Sequence, residues 1–293
     1  MIISRKTRVM VIGCDSEFGG AWVDLMADYG TNIVAWVTCG ERKGAEKSEG
    51  PARKDAPSGY RGRRFDSIAV AVAETEPEVA FIDCAATKMR QAALGAIQAR
   101  VRTLVIHSCG LPMHDVMFVL AMARDAGIRV FGPNEAGLAV PGEAVIGYFP
   151  AYDHSLFGPG GIAVITRLQS VAGAVLGHLR RAGRGVSNYI AIGADPLVGT
   201  SMAEAAALIG KDERMRAILL VGDTQGQQEE QAAEALAGLG RPVVSYLVGA
   251  TGAGREEAFQ RKRRALEWHG ITVITQPSDA VAALRGVPMG AGS

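Results

Sequence analysis

The chain has 293 residues, of which 48% are hydrophobic and 21% are charged, so it is long enough for two globular domains and is not typical of a disordered chain. Its 31 lysines and arginines nearly balance its 30 aspartates and glutamates, which argues against a surface for nucleic acid or anionic membrane. No apolar run reaches the roughly 18 residues that span a bilayer, and no signal-peptide core precedes the first predicted strand. We therefore expect a cytoplasmic protein.

The first half of the chain alternates apolar strands with amphipathic helices. The predicted strands cover residues 8–12, 33–37, 79–83, 103–107 and 129–131. The predicted helices cover residues 21–29, 67–74, 89–100 and 113–126. Residues 41–64 are rich in Gly, Lys, Arg, Glu and Ser, which predicts a solvated loop. Strands separated by helices of this length predict βαβ units and a parallel sheet.

A break at Gly132-Pro133-Asn134 separates this series from a second one, and we place a hinge there. Residues 137–160 are rich in glycine and proline, which predicts an extended crossover rather than helix. The strands predicted beyond it cover residues 161–165, 186–192, 217–221, 242–247 and 273–275, and the helices cover 169–182, 201–208, 228–239, 256–268 and 278–284. The predicted domains are residues 1–134 and 161–293, joined by the hinge and crossover at 135–160.

Each of the four cysteines follows a predicted strand of the first half: Cys14, Cys39, Cys84 and Cys109. Parallel strands end at the same edge of a sheet, where the ligand sites of α/β proteins lie, so we expect all four thiols at that edge. The chain has no Cys-x-x-Cys pair and none of the usual metal-ligand spacings. We therefore predict reduced cysteines near a ligand pocket and no metal site.

Residues 11–20 run from a strand into a helix and carry Gly13, Ser16 and Gly19 at the spacing of a phosphate-binding turn. Glycines let a phosphate approach the backbone, and a helix amino terminus offers unpaired N–H groups and a favourable dipole. With Ser16 in the middle position, this motif alone is weak. Asp15 is unfavourable beside a phosphate unless its carboxylate caps the helix instead.

Further motifs follow this turn in a fixed order. They are Tyr29-Gly30-Thr31, Val37-Thr38-x-Gly40, Gly110-Leu111-Pro112, Gly132-Pro133-Asn134, Pro141-Gly142-Glu143, Ile192-Gly193-Ala194-Asp195-Pro196, and Val221-Gly222-Asp223 with Glu229-Glu230. Together they resemble the α subunit of succinyl-CoA synthetase, in the NDP-forming acyl-CoA synthetase family, over nearly the whole chain. The resemblance implies an α/β fold with an amino-terminal Rossmann-type CoA-binding domain and a flavodoxin-like parallel-sheet ligase domain.

The resemblance also implies ligands and partners. It implies CoA or acyl-CoA as the cofactor, a small carboxylic acid or acyl substrate, and an ATP-grasp β-type subunit through which ATP or ADP acts. Arg42 and Lys43 are expected to replace the family's lysine, since Glu41 occupies its position. His107, Ser108 and Cys109 are expected to flank the thiol-bearing arm of CoA. The residues assigned to the cofactor are Gly13, Asp15, Ser16, Glu17, Phe18, Gly19, Thr38, Arg42, Lys43, His107, Ser108, Cys109 and Asn134.

The second domain departs from the family pattern. The family carries a phosphoryl group on the histidine of a late Gly-His-Ala-Gly loop, but residues 249–255 here read GATGAGR and contain no histidine. Of the family's Ser-Arg-Ser-Gly-Thr phosphate turn, only Arg167 and Ser170 are kept. Asp223 replaces the glutamate that orients the histidine, and Glu135 replaces a small residue of the hinge. We predict Glu135 and Asp223 as catalytic candidates, and Arg167 and Ser170 as phosphate ligands.

Three functions remain open at this point. The first, which we adopt, is a subunit of a CoA ligase or an acyl or carbamoyl transferase that works without phosphohistidine. The second is a non-catalytic CoA-binding or scaffolding subunit for an ATP-grasp partner. The third is an NAD-dependent oxidoreductase, which is disfavoured because the second strand ends in Val37-Thr38-Cys39 and offers the ribose no carboxylate.

Overall fold

The structure is a computed structural model that describes residues 2–39, 60–135, 137–249 and 255–287. Its first sheet has six parallel strands in the order β3-β2-β1-β4-β5-β6. The strands are β1 (Val9–Gly13), β2 (Ile33–Val37), β3 (Arg64–Phe65), β4 (Val79–Asp83), β5 (Thr103–Ile106) and β6 (Arg129–Phe131). This is the Rossmann order: successive strands are added on one side of β1 up to β3, and from β4 on they are added on the other side. The sequence missed only β3, which has two residues.

Four helices of the described ranges accompany the first sheet. They are α1 (Glu17–Tyr29), α2 (Ile68–Thr75), α3 (Ala86–Gln98) and α4 (Met113–Asp125). Alternate residues of β1 face opposite sides, so Val11 packs with α1 while Ile12 packs with α2, α3 and α4. Helix α1 begins four residues earlier than predicted, because Ser16 caps it by accepting a hydrogen bond from Gly19 N.

The second sheet has seven strands in the order β13-β12-β11-β9-β10-β7-β8. They are β7 (Leu138–Val140), β8 (Ala144–Ile146), β9 (Pro159–Thr166), β10 (Val186–Ala191), β11 (Ala217–Gly222), β12 (Val243–Leu247) and β13 (Thr272–Ile274). Strands β9 to β13 are parallel in the order of a flavodoxin-like sheet. Strands β7 and β8 extend it as an antiparallel hairpin.

Six helices accompany this second sheet or connect to it. They are α5 (Tyr148–Tyr152), α6 (Gln169–Arg181), α7 (Met202–Ile209), α8 (Gln228–Ala237), α9 (Glu256–Trp268) and α10 (Asp279–Ala283). Within the described ranges no helix has the length and apolar character needed to cross a bilayer.

The prediction of an extended crossover without helix over residues 137–160 was wrong. The hairpin of β7 and β8 turns at Gly142, whose φ is +80°, and α5 follows it, with a 3₁₀ turn at His154–Leu156. Pro150 is the third residue of α5, in the first turn, where proline is tolerated because no intrahelical bond is lost there. Glycine and proline therefore marked turns and a helix start here, not an absence of structure.

The segment 132–135 joins the two sheets at their carboxyl edges. Gly132 N donates a hydrogen bond to Ile192 O (3.1 Å), beyond the end of β10, and Asn134 N donates to Ser108 O (3.2 Å), beyond the end of β5. Gly132 has φ +91°, and a Cβ built on it would lie 2.3 Å from Ile106 O. Only glycine fits at this position, so the hinge is held tightly between both sheets.

Away from the hinge, the two halves also meet where Thr31, between α1 and β2, reaches Val145 of β8. The Thr31 hydroxyl donates to Val145 O at 2.6 Å and accepts a hydrogen bond from Val145 N at 3.1 Å. Both residues are buried. One hydroxyl therefore provides partners for two buried backbone groups of β8, the last strand of the second sheet.

Replacing Thr31 by Val should lower the free energy of unfolding by about 2–4 kcal/mol, because the isosteric side chain leaves two buried backbone groups without their partner. Urea unfolding followed by circular dichroism measures this difference. The matched control is Thr31→Ser, which keeps the hydroxyl and should stay within about 1 kcal/mol of the parent chain. Equal stability of T31V and T31S would show that this bridge contributes nothing.

Candidate functional site

The turn at residues 13–19 brings backbone close to backbone, as its glycines predicted. Gly13 has φ +86°, and a Cβ built on it would lie 2.1 Å from Asp83 O. A Cβ on Gly19 would lie 2.8 Å from the backbone of Cys14. Cys14 N donates to Asp83 O at 2.7 Å. The amino terminus of the 13-residue helix α1 follows at once, so the turn has the backbone arrangement of an anion-binding site.

Asp15 does not cap α1. Its Oδ2 accepts a hydrogen bond from Cys39 N at 2.8 Å, so it ties the turn to the chain that follows β2, while Ser16 is the cap. Glu17 and Phe18 form the first residues of α1, and Thr38 N donates to Phe65 O at 3.2 Å. Arg42 and Lys43 lie outside the described residues. The carboxylate of Asp15 thus lies beside the turn. The assignment of Arg42 and Lys43 to a phosphate of the cofactor stays a prediction.

The cysteines follow β1, β2, β4 and β5 and so lie at the carboxyl edge of the first sheet. Burial, together with Asp83, raises the pKa of the Cys14 thiol well above its ordinary value. A hydrogen bond between Cys39 and Cys84 lowers the pKa of Cys39 and raises that of Cys84. Cys109 is exposed. In the part of the chain that the structure describes, no three His, Cys, Asp or Glu side chains are placed to hold a metal.

Ser108 and His107 differ in what they offer. The buried Ser108 hydroxyl donates to Cys84 O (2.9 Å) and accepts from Cys84 N (3.0 Å), so it holds the ends of β4 and β5 together. His107 is half-buried, and its Nδ1 lies 2.6 Å from Glu135 O. A carbonyl oxygen only accepts, so Nδ1 carries the proton and the lone pair of the neutral ring is on Nε2.

Sequence reasoning missed two side chains that surround His107. The Tyr148 hydroxyl donates a short hydrogen bond to Asp83 Oδ2, and its ring meets the imidazole edge-to-face with 4.1 Å between centroids. The ring of Trp22 stacks on the Tyr148 ring, with 5.1 Å between the two ring centroids. Asp83 ends an apolar strand with a carboxylate, which was a usable signal. Nothing in the spacing of Tyr148 indicated its position.

Glu135 lies in the hinge with its carboxyl group inside the protein, 2% exposed. Its Oε2 accepts a short hydrogen bond from Gly137 N, while Oε1 has no hydrogen-bond partner among the described residues. Burial raises the pKa of Glu135 to about 8, against the lowering effect of the Gly137 bond. A neutral carboxylic acid is therefore the expected form at pH 7.

The carboxyl edge of the second sheet carries the remaining candidates. Asn134, with φ +54°, donates from Nδ2 to Asp195 Oδ1 at 2.8 Å. Arg167 donates from its two terminal nitrogens to Gln225 O (3.3 Å) and Ala194 O (3.4 Å), so its side chain lies across the loops after β10 and β11.

Asp223 and Ser170 lie at the same edge but differ in their bonds. Asp223 Oδ1 accepts from Gln225 N at 2.8 Å, which places this carboxylate in the same loop that Arg167 contacts. Ser170 lies in the first turn of α6 and is exposed. Arg167, which follows β9, thus contacts the loop that carries Asp223, whereas Glu135 is buried in the hinge.

A buried ion pair holds the loop after β11 from the inside of the protein. Lys262 is 0% exposed, and its Nζ lies 2.6 Å from Glu229 Oε2 and 3.3 Å from Glu230 Oε2. The same ammonium donates to Gln225 O at 3.2 Å. Gln225 O is therefore fixed by two cations, Lys262 from inside and Arg167 from outside, which orients the loop after β11.

The buried Glu135 predicts a pH dependence of stability. Its pKa is about 8 in the folded state against an ordinary value of 4.5, so the folded chain binds the extra proton between these two pH values. The contribution of this proton to the free energy of unfolding is fully present below pH 4.5 and is lost as the pH rises through 8. Between these two pH values the free energy of unfolding falls by up to about 1.4 kcal/mol per pH unit. Replacing Glu135 by Gln keeps an acceptor for Gly137 N and has no proton to lose.

E135Q should therefore match or exceed the parent chain in stability, by a margin that grows between pH 5 and pH 9. Urea unfolding at pH 5, 7 and 9 measures that margin. Glu234→Gln, at an exposed position of α8, is the matched control and should follow the parent curve. A margin that stays constant with pH would contradict the assignment of a raised pKa to Glu135.

Comparison with known proteins places the chain among CoA ligase subunits. The family described as "Succinyl-CoA ligase like flavodoxin domain" matches residues 159–273. The succinate–CoA ligase [ADP-forming] subunit alpha 2 of Archaeoglobus fulgidus is 30% identical over 251 residues, which cover 86% of this chain and 82% of the relative. The ADP-forming sulfoacetate-CoA ligase subunit SqwL of an Acholeplasma species is 29% identical over 94% of both chains.

Solved structures show the same fold. ATP citrate lyase from Methanothrix soehngenii, in complex with citrate and coenzyme A, superposes with a TM-score of 0.80 at 16% identity. The match covers 97% of this chain and 50% of that one, so the chain spans about half the length of that enzyme. The dinucleotide forming acetyl-coenzyme A synthetase 1 of Ca. Korarchaeum cryptofilum, in complex with phosphate and ADP, gives a TM-score of 0.72 over 94% of this chain and 59% of its own.

The match to these relatives extends over nearly the whole chain, and the family match covers the strands from β9 to β13. The predicted fold class and the family resemblance are thereby confirmed. This chain belongs to the α-subunit family of the NDP-forming CoA ligases.

Proposed function

We propose that this chain is the CoA-binding α-type subunit of an acyl-CoA ligase or of an acyl or carbamoyl transferase that works without phosphohistidine. The observation that carries the proposal is the meeting of both carboxyl edges at residues 132–135. There the turn at 13–19 and His107 belong to one sheet, while Arg167 and Asp223 belong to the other. Such an edge, at the point where strand order reverses, is where α/β proteins bind ligands.

CoA is the cofactor that these features support best. The turn at 13–19 offers a glycine backbone and a helix amino terminus to phosphate groups, and the relatives include CoA ligase subunits. We assign the pyrophosphate of CoA to this turn. We assign its remaining phosphate group to Arg42 and Lys43, whose positive charges would neutralise it. The end of β2 offers Thr38 and Cys39, without the acidic residue that holds an NAD ribose.

The absence of a nucleophilic histidine in the second half supports a mechanism without phosphohistidine. The chain has five histidines, and residues 249–255 contain none of them. They are His107 after β5, His114 in α4, His154 in the 3₁₀ turn, His178 in α6 and His269 after α9. None lies in the loop directly after β12, where the resemblance places the family's phosphorylated histidine. A nucleophile lost in this way is not replaced without a change in geometry.

The name "subunit" that several relatives carry supports a partner chain. We propose an ATP-grasp β-type subunit, which would bring ATP or ADP, and a small carboxylic acid or acyl group as the substrate. Arg167, with Ser170 at the start of α6, is the anion-binding pair we assign to the phosphate of that reaction. A non-catalytic CoA-binding or scaffolding subunit is the alternative outcome.

Calorimetric titration of the purified chain with CoA should give saturable binding, and NAD should give none, because the end of β2 lacks a ribose carboxylate. The double variant Arg42→Ala with Lys43→Ala should weaken CoA binding at least tenfold, as expected for the loss of charge-assisted phosphate contacts of about 1.5–3 kcal/mol. Arg102→Ala with Arg124→Ala, two exposed arginines near the amino edge of the sheet, is the matched control.

Absence of CoA binding by the parent chain would overturn the cofactor assignment. Equal CoA affinity of R42A/K43A and of the control pair would overturn the role of Arg42 and Lys43 alone. Saturable NAD binding would favour the oxidoreductase interpretation instead.

Incubation with radiolabelled ATP should leave no acid-labile phosphate on this chain. The tagged chain is purified from its own cells with the chains that it holds, and label is followed on denaturing gels before and after acid treatment. A succinate–CoA ligase complex treated in parallel is the control for phosphohistidine. Acid-labile, base-stable label on this chain would contradict a mechanism without phosphohistidine.

A further inference from the structure

A cluster of polar and aromatic side chains occupies the carboxyl edge of the first sheet between the turn at 13–19 and the hinge. Asp83 ends β4, His107 follows β5, and Tyr148 enters from α5. The Tyr148 hydroxyl bonds to Asp83, and Cys14 Sγ lies 3.8 Å from the same hydroxyl. The imidazole of His107 contacts the Tyr148 ring at 4.1 Å between centroids. We call these four residues the edge cluster.

His107 is the group in the edge cluster that can accept a proton. Its Nδ1–H donates to Glu135 O, so Nε2 carries the lone pair. Burial lowers the pKa of His107, while Asp83 and the Glu135 carbonyl oppose that shift, so the ring is neutral at pH 7 and a carboxylate is present to stabilise its protonated form.

Tyr148 and Cys14, the hydroxyl and the thiol of the edge cluster, keep their protons. Burial, the neighbouring Cys14 and the bond to Asp83 raise the pKa of Tyr148 far above its ordinary value, so it remains a phenol that donates to Asp83. Burial raises the pKa of Cys14, which therefore remains a thiol and not a nucleophile. Asp83 accepts the Tyr148 bond and acts electrostatically on His107, whose pKa it raises against the effect of burial.

The position of His107 is defined by the sheet. Strands β1, β4 and β5 are neighbours, so the end of β5 lies about 10 Å along the carboxyl edge from Gly13. On its other side, the hinge residue Asn134 bonds to Asp195 of the second sheet's edge. A ligand that binds its phosphates at the turn and extends to the second sheet would run along this edge, on which His107 lies.

Building on the proposed function, we propose that His107 is the catalytic base for the thiol of a CoA-type ligand and that Tyr148, Asp83 and Glu135 are its positioning residues. In this step the S–H bond breaks and the proton moves to Nε2. The electron pair stays on sulfur as a thiolate, and the imidazolium is stabilised by Asp83. No oxidant or other reactant is needed. The thiolate is the form of sulfur that attacks an acyl carbon.

The test measures the thiol of bound CoA itself. The ultraviolet absorbance of the thiolate is recorded against pH for the CoA complex, and the same titration with desulfo-CoA, which has no thiol, is subtracted. The variant is His107→Asn, whose amide can still donate to Glu135 O but has no basic nitrogen. The bound thiol should have a pKa at least one unit lower in the parent chain than in H107N, because a thiolate is stabilised beside an imidazolium.

His114→Asn is the matched control, since His114 is 77% exposed on α4, and it should leave the bound thiol unchanged. Asp83→Asn is a second variant that keeps the His107 ring; it removes the anion facing the imidazolium and should raise the pKa of the bound thiol. Equal thiol pKa values in the parent chain, H107N and D83N would overturn the role of His107 while CoA binding stands. Absence of CoA binding by calorimetry would overturn the proposed function and this inference with it.

Discussion

The backbone hydrogen bonds of residues 132–135 are the constraint on which the rest of the site depends. Gly132 bonds to the chain after β10 through both its N–H and its carbonyl, and Asn134 N bonds to the chain after β5. A side chain at Gly132 would overlap the carbonyl of Ile106, so the segment packs directly against the end of β5. Because both sheets end here, a ligand that binds at one carboxyl edge lies next to the other edge.

This constraint also determines the chemistry of neighbouring side chains. The carbonyl of Glu135 is held at 2.6 Å from His107 Nδ1, which selects one tautomer of the imidazole. The carboxyl group of the same residue is buried and, among the described residues, has only Gly137 N as its hydrogen-bond partner, so it is neutral until about pH 8. One hinge residue therefore orients the His107 imidazole through its backbone and holds a proton on its own side chain.

The strands, most helices and the glycine turns were predictable from the sequence, whereas the edge cluster was not. A buried parallel strand is a continuous apolar run, and a phosphate turn needs glycine, so both leave a local signature in the chain. The bond between Tyr148 and Asp83 joins residues 65 positions apart through a helix that the glycine- and proline-rich segment concealed. The hydrogen-bond partner of Asp15 was also not predictable, since Cys39 N lies at the end of another strand, β2.

The two carboxyl edges hold their charged groups in different ways, which suits the proposed mechanism without phosphohistidine. At the second sheet, Arg167 and Lys262 fix the loop after β11 through Gln225 O, and Asp223 accepts a bond from the same loop, so these charges are held by backbone contacts. Burial lowers the pKa of His107 at the first sheet and raises the pKa of Glu135 in the hinge and of Glu229 at the second sheet. Glu229 is paired with the buried Lys262, whereas Glu135 Oε1 has no hydrogen-bond partner among the described residues. Under the proposed function, proton transfer therefore falls to the first sheet's side and the hinge, and the second sheet has a fixed electrostatic role.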